Sequence, residues 1–270
     1  MTIARLDGAT RLYGIVGHPI AQARSPEVMT ARLQQIGHNA VLVPLHVLPD
    51  AFDSTLRGLM QLGNLDGLMI TVPYKARALA LADSLLPSAA QVGAVNALRR
   101  HADGTWQGGM FDGTGLVLAL RAEGFEPRGR LVKMLGAGGA GSAVAIALAE
   151  AGARALDIFD TDAARAAELA QRVTTHYPDC QARAVTDPAH LDDHELLINC
   201  TPIGMQPGDG MPAPFGRLDP SLFVMDIIMK PPVTPLAEHA RACGCTVLNG
   251  IPMLDQQAQA VLSFFTETSS

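Results

Sequence analysis

The sequence predicts an α/β fold in two zones, each a mostly parallel sheet covered by helices. Three observations point there. Short apolar runs alternate with helix-like stretches over short connections, as in strands buried on both faces. The rhythm restarts near Arg130. There a glycine-rich turn follows the first apolar run and leads into a helix of small residues, the opening unit of a doubly wound sheet.

In the first zone the strands are expected at Leu12–Val16, Val41–Val47 and Leu68–Val72. Helices are expected at Pro26–Ile36 and Ala51–Leu62. Ser25 reads as the N-cap of the first helix, with Pro26 at its first position and Gly37 as its stop. The second zone begins with a strand at Leu131–Leu135, the turn Gly136-Ala137-Gly138-Gly139-Ala140-Gly141, and a helix at Ser142–Ala151 closed by Gly152. Further strands are expected at Ala155–Phe159, Ala182–Val185, Leu196–Asn199, Phe223–Asp226 and Thr246–Leu248. Helices at Ala163–Val173 and Pro235–Cys243 fill the gaps, and Met253–Phe265 reads as a last helix.

Length and composition narrow the function. The 270 residues suit roughly two domains. With 48% apolar residues, the chain can bury a sizeable core. No apolar run is long enough to span a bilayer, so no membrane partner is expected. Charge is 20 basic against 26 acidic residues, without a basic block, which argues against nucleic acid. The first residues, Met1 to Gly8, lack the apolar stretch of a signal peptide, so a cytoplasmic location is expected. The four cysteines and eight histidines show no zinc-like spacing, and no metal is expected. His-Glu-x-x-His and Gly-x-Ser-x-Gly are both absent, which argues against a zinc protease or serine hydrolase.

Gly136, Gly138 and Gly141 form Gly-x-Gly-x-x-Gly between an expected strand and an expected helix, the context that gives this motif meaning. The first glycine permits the tight turn, the second lets a pyrophosphate approach the backbone, and the third lets helix and strand pack closely. Asp160 lies nineteen residues past the third glycine, where an acid accepts hydrogen bonds from an adenosine ribose. A carboxylate there repels a 2′-phosphate, so NAD is expected over NADP. The next residues, Thr161 and Asp162, offer no arginine, and Arg165 is the nearest.

Seven segments occur together: Gly17-His18-Pro19-Ile20 with Ser25-Pro26, Thr71-Val72-Pro73-Tyr74-Lys75, Gly93-Ala94-Val95-Asn96, Phe111-Asp112-Gly113-Thr114-Gly115, Gly136–Ala140, Asn199-Cys200-Thr201-Pro202-Ile203-Gly204-Met205, and Gly250–Gln257. In order and spacing they resemble the shikimate dehydrogenase family, which includes the quinate/shikimate dehydrogenases. The resemblance covers nearly the whole chain. It implies a substrate domain at 1–109, a Rossmann domain at 110–252, an active-site cleft between them, and a terminal helix at about 253–270 that rejoins the substrate domain.

The resemblance also implies hydride transfer between a nicotinamide ring and a ring carbon bearing a hydroxyl. Lys75 and Asp112 carry over as the catalytic pair. A lysine is ordinarily charged at neutral pH and can donate a proton to a developing alkoxide, while a neighbouring carboxylate orients it. Ser25, Thr71, Asn96 and Gln257 carry over as substrate contacts, with Met229 at a further pocket position. Thr201 and Pro202 carry over to the cofactor, and Ile227, Gly250 and Met253 to the nicotinamide end.

The pocket departs from the family pattern. Ser-x-Ser-Pro becomes Ala23-Arg24-Ser25-Pro26, and the asparagine before the pocket threonine becomes Met69. Asn-Thr-Asp becomes Met110-Phe111-Asp112, Asn-Thr becomes Asn96-Ala97, and Asp-x-x-Tyr becomes Asp226-Ile227-Ile228-Met229. Each polar substrate group left unpaired costs about 1–3 kcal/mol, so a different or less polar substrate is expected. Two alternatives stand beside the dehydrogenase. One is a dinucleotide- and ligand-binding sensor with little activity, and the other is a different Rossmann oxidoreductase. A monomer or homodimer is expected.

Overall fold

The computed structural model describes residues 6–267, which form two compact units. One runs up to Phe111 and resumes at Ala258; the other is Asp112–Gln257. The cuts expected from the sequence, after residues 109 and 252, fall earlier in the chain. The last helix is continuous from Gly250 to Thr266, so no break marks the residue at which it changes unit.

In the first unit, β1 (Arg11–Gly17), α1 (Ser25–Gln35), β2 (Ala40–His46), α2 (Phe52–Leu59) and β3 (Leu65–Ile70) follow one another. Strand β1 lies between β2 and β3 and pairs parallel with both. The segment that follows differs from the sequence reading, which left it without elements. It holds β4 (Ser84–Leu85), α3 (Pro87–Val92) and the antiparallel pair β5 (Ala97–Arg100) and β6 (Trp106–Gly109), giving the order β2-β1-β3-β5-β6-β4.

Two local expectations are corrected. Ser25 is the first residue of α1 rather than its cap, Arg24 precedes it, and no side chain caps the helix; Pro26, which has no N–H to satisfy, is its second residue rather than its first. Strand β3 stops at Ile70 rather than Val72, and Val72 is 66% exposed.

The core of this unit gathers Tyr13, Met29, Leu33, Leu42 and Met69 with Val261, Leu262, Phe264 and Phe265 of the last helix. Phe265 stacks on Tyr13 with ring centroids 4.9 Å apart. Gly67 makes room for both rings, since a Cβ there would stand 2.8 Å from Phe265 and 2.9 Å from Tyr13.

In the second unit, α4 (Asp112–Ala122), β7 (Leu131–Leu135), α5 (Gly139–Glu150), β8 (Ala155–Phe159), α6 (Ala163–His176), β9 (Gln181–Ala184), β10 (Leu196–Asn199), β11 (Phe223–Asp226), α7 (Pro235–Ala242) and β12 (Thr246–Leu248) precede α8 (Gly250–Thr266). All strand pairs are parallel, in the order β12-β11-β10-β7-β8-β9. The order reverses between β7 and β10, and in such sheets ligands bind outside the carboxyl ends of the strands at that point. Helix α4 was missed from the sequence, and α5 starts at Gly139 rather than Ser142. No helix among the described residues is long and apolar enough to cross a membrane.

Candidate active site

The glycine turn sits at the switch point. Gly136 follows β7 with φ +97°, a left-handed conformation that glycine adopts at little cost and residues with a side chain rarely adopt. A Cβ on Gly136 would lie 3.1 Å from the Thr201 methyl, so the turns after β7 and β10 touch. A Cβ on Gly141 would collide with the Gly136 carbonyl, so the third glycine is needed for α5 to start against the turn. Gly138 and Gly139 face open space instead.

Gly138 precedes α5, and no side chain caps that helix, so its first N–H groups face the open side. A bare, positively polarised helix start beside two uncrowded glycines fits a pyrophosphate. Ala137, Gly139 and Ala140 belong to the same cradle.

Asp160 ends up braced against this turn. Its Oδ2 accepts from Ala137 N–H at 2.7 Å and its Oδ1 from Asp162 N–H at 2.9 Å. Burial pushes its carboxyl up, but the two backbone N–H groups, together with Arg165 at 4.0 Å from Oδ1 and Thr161, outweigh this and hold it below the ordinary range. Asp160 is therefore a structural anion as well as a ribose candidate. Asp162 caps α6, accepting from Ala164 and Arg165 N–H, and Arg165 comes within 3.7 Å of Asp162. Thr161 and Pro202 are exposed, and Thr201 is half-buried.

A second group of predicted residues forms at the ends of β11 and β12. Met229 is 44% exposed and would be 3.0 Å from a Cβ on Gly250; such a Cβ would collide with the Ile227 carbonyl. Ile227, Met229 and Gly250 therefore converge.

The third group joins α4 and α8. Asp112, 5% exposed, is the first residue of α4, and Gln257 Nε2 donates to its Oδ1 at 2.5 Å. Two glycines make this approach possible. A Cβ on Gly115 would stand 2.6 Å from Met253 O and 2.8 Å from Gln257 Cβ. A Cβ on Gly113 would collide with Ala143 O of α5. The hydrogen bond from the Gln257 amide fixes the direction of the carboxyl group.

In the first unit, Thr71 leaves β3 with its N–H bonded to Val16 O at 2.9 Å, and its methyl packs where a Cβ on Gly17 would stand. Four residues on, Lys75 O accepts from Val95 N–H at 3.0 Å, which ties its segment to that of Asn96. Asn96 is 2% exposed, and its Oδ1 accepts from Phe111 N–H at 2.9 Å, fixing its rotamer. Ser25 is half-buried in the first turn of α1.

The pocket departures divide. Met69 is buried in the core of its unit, and Ala23 packs against that core, whereas Met229 stays at the surface.

One feature was missed in the sequence. Asn199, Asp226 and Thr234 form a buried polar network under the loops after β10 and β11. Thr234-Pro235 is a legible helix start, and Thr234 does cap α7, but nothing local shows that its hydroxyl reaches Asp226.

The chain is similar to known proteins over nearly its full length. The model of the shikimate dehydrogenase substrate binding domain matches residues 15–98. A shikimate dehydrogenase (NADP(+)) of Rubrobacter xylanophilus is 37% identical over 256 residues, 94% of this chain and 90% of its own length. Shikimate 5-dehydrogenase of Listeria monocytogenes, solved with shikimate and NAD, superposes with a TM-score of 0.91 at 30% identity, covering 97% of this chain and 93% of that one. The 5-ketofructose reductase of a Gluconobacter strain superposes at 0.88 with 28% identity, covering 97% and 95%. Matched over nearly its full length, with a glycine cradle in one unit and the substrate-domain family model matching the other, the chain belongs to the shikimate dehydrogenase family of nicotinamide-dependent CH–OH dehydrogenases.

Proposed function

We propose that the protein interconverts a secondary alcohol and a ketone on a cyclic hydroxy acid, or on a less polar relative of one, using NAD, with Lys75 and Asp112 as the catalytic pair. The observation that carries this reading is Asp112, a buried carboxylate at a helix start, aimed by Gln257 at 2.5 Å. Such a group serves to orient a cation and a hydroxyl rather than to decorate a surface.

Oxidising the alcohol sends a hydride to the cofactor and a proton to the protein. NAD, when bound, accepts the hydride at its nicotinamide ring. In oxidation Lys75 serves as the free amine, takes the hydroxyl proton as the C–O bond gains double-bond character and becomes the ammonium; in reduction the ammonium gives that proton to the alkoxide and becomes the amine. Asp112 orients the ammonium. Gln257, Asn96, Thr71 and Ser25 are proposed to hold the other substrate oxygens, and each is already seated by the backbone or partners described above.

Asp160 supports NAD over NADP. Its carboxylate is held ionised by two N–H groups, and a 2′-phosphate would meet that charge. The R. xylanophilus relative is named for NADP(+), which makes cofactor choice a direct test. Met229 supports the less polar substrate, because an exposed thioether stands where the family carries a phenol. The 5-ketofructose reductase neighbour is a protein of this fold named for a substrate without a carboxylate.

Steady-state rates with shikimate, quinate and 5-ketofructose, each with NAD(H) and NADP(H), test the reading. Turnover with NAD(H) exceeding that with NADP(H) is expected on at least one of them. Turnover confined to NADP(H) would overturn the cofactor assignment, and kcat/KM for shikimate far above the others would overturn the altered pocket.

A further inference from the structure

The buried network around Asp226 has no part in the proton transfer just described, yet it joins two loops that the cofactor reading uses. Asp226, 1% exposed, ends β11. Its Oδ1 accepts from Asn199 Nδ2 at 3.2 Å and from Ile228 N–H at 3.2 Å. Its Oδ2 accepts from Thr234 Oγ1 at 2.6 Å.

Asn199 passes the connection on. Its Oδ1 accepts from Thr201 N–H at 3.0 Å and from Thr201 Oγ1 at 2.7 Å, while its Nδ2 also donates to Ile203 O at 3.2 Å. Its backbone carbonyl accepts from Ile227 N–H at 3.2 Å. On the far side, Gly250 N–H donates to Ile228 O at 3.2 Å. One carboxylate thus underlies the segments Thr201–Ile203, Ile227–Met229 and Gly250.

The donors fit an anion. Thr234 Oγ1 accepts from Ala237 N–H at 3.2 Å, which leaves its hydroxyl proton free to point to Asp226. With Asn199 Nδ2 and Ile228 N–H, three donors face two carboxylate oxygens, the pattern of an anion. No lysine or arginine pairs with Asp226 among the described residues. A buried anion without a cation is costly. Burial pushes this carboxyl above its ordinary range, although Thr234, Ile228 and Asn199 oppose that. An anion held by neutral dipoles acts on its surroundings at short range with little screening.

We propose that Asp226 is a positioning residue that locks the loops after β10 and β11 together under the nicotinamide end of the dinucleotide and favours the cationic, oxidised ring over the neutral, reduced one. The proposal rests on the NAD reading above and on the placement of Thr201, Ile227 and Gly250 at the cofactor that the family resemblance implies. The argument is electrostatic. NAD+ carries a positive charge on its nicotinamide ring that NADH lacks, so a nearby fixed anion binds the two forms unequally.

Calorimetric Kd values for NAD+ and for NADH, on wild type, Asp226→Asn and Asp226→Ala, separate position from charge. In Asp226→Asn the side chain keeps its shape; Oδ1 still accepts from Asn199 and Ile228, and the new amide can donate to Thr234 Oγ1. Its NAD+ affinity is expected to fall about tenfold relative to its NADH affinity. In Asp226→Ala the loops lose their joint, and both affinities fall by more than in the asparagine variant. Thermal melts establish that each variant is folded. A folded Asp226→Asn with the wild-type ratio of NAD+ to NADH affinity overturns the proposal and leaves Asp226 a packing residue. Wild type that binds neither form overturns the cofactor reading along with it.

Discussion

Gln257 and Asp112 are hydrogen-bonded at 2.5 Å because Gly115, one turn along α4, has no side chain to hold α8 away. The buried carboxylate of Asp112, the amide that aims it and the glycine that admits the amide form one device. A methyl group at Gly115 would stand 2.6 Å from Met253 O and must displace the start of α8. Gly115→Ala is therefore expected to cost about 1–3 kcal/mol of stability and to lower kcat with a smaller change in the Kd for NAD. Urea denaturation beside steady-state rates checks both; wild-type kcat in this variant would separate the Gln257 contact from catalysis.

The glycine turn predicts a contrast. Gly141→Ala must force α5 away from Gly136, so the melting temperature and NAD binding fall together. Gly138→Ala places its methyl in open space at the cradle, so the melting temperature stays within a degree or two while NAD binding weakens about tenfold or more. Differential scanning fluorimetry with and without NAD distinguishes the pair. Equal behaviour of the two variants would contradict the cradle.

A buried ionic cluster makes stability depend on pH. Asp157 accepts from Arg183 at 2.6 and 3.0 Å, lies 3.2 Å from His194 Nε2, and shares its surroundings with buried Lys133. Burial pushes the His194 imidazole below its ordinary value of 6.5, and this outweighs the pull of Asp157 in the other direction. The unfolded chain therefore takes up a proton that the folded one resists. Stability is at its full value above about pH 6.5 and falls as the pH is lowered from there. Urea midpoints between pH 8 and 5 are expected to fall on the acid side, and His194→Gln to flatten that fall. A midpoint that rises on acidification would reverse the sign.

The core of the first unit rests on the end of α8. Phe265 is 6% exposed, stacks on Tyr13 and sits over Gly67. Phe265→Ala is expected to cost about 3–5 kcal/mol. A cost under about 1 kcal/mol by urea denaturation would mean that α8 contributes little to this core.

In the second unit, edge strand β9 starts one residue before the expected Ala182, but β7, β8, β10, β11 and β12 were legible to the residue because a parallel sheet covered on both faces needs largely apolar runs. Helix α4 was not legible for the same reason. It is buried on most of its surface and opens with Asp112-Gly113-Thr114-Gly115, so neither amphipathic period nor helix-forming residues mark it. Strands β5 (Ala-Leu-Arg-Arg) and β6 (Trp-Gln-Gly-Gly) carry charged residues and glycines in place of an apolar run, so no strand pattern marks them. At the site, the motifs named residues but not their neighbours. That Asp160 braces Ala137, and that Met69 belongs to the core, depends on contacts between segments far apart in the chain.

The central claim is that Lys75 transfers the proton that accompanies hydride transfer. The most direct measurement compares wild type and Lys75→Ala in NAD reduction by the best alcohol substrate, with the Kd for NAD determined on both. The account predicts a kcat lower by about 10²–10⁴-fold with the Kd for NAD within about threefold of wild type. A Lys75→Ala enzyme that keeps wild-type turnover would contradict it.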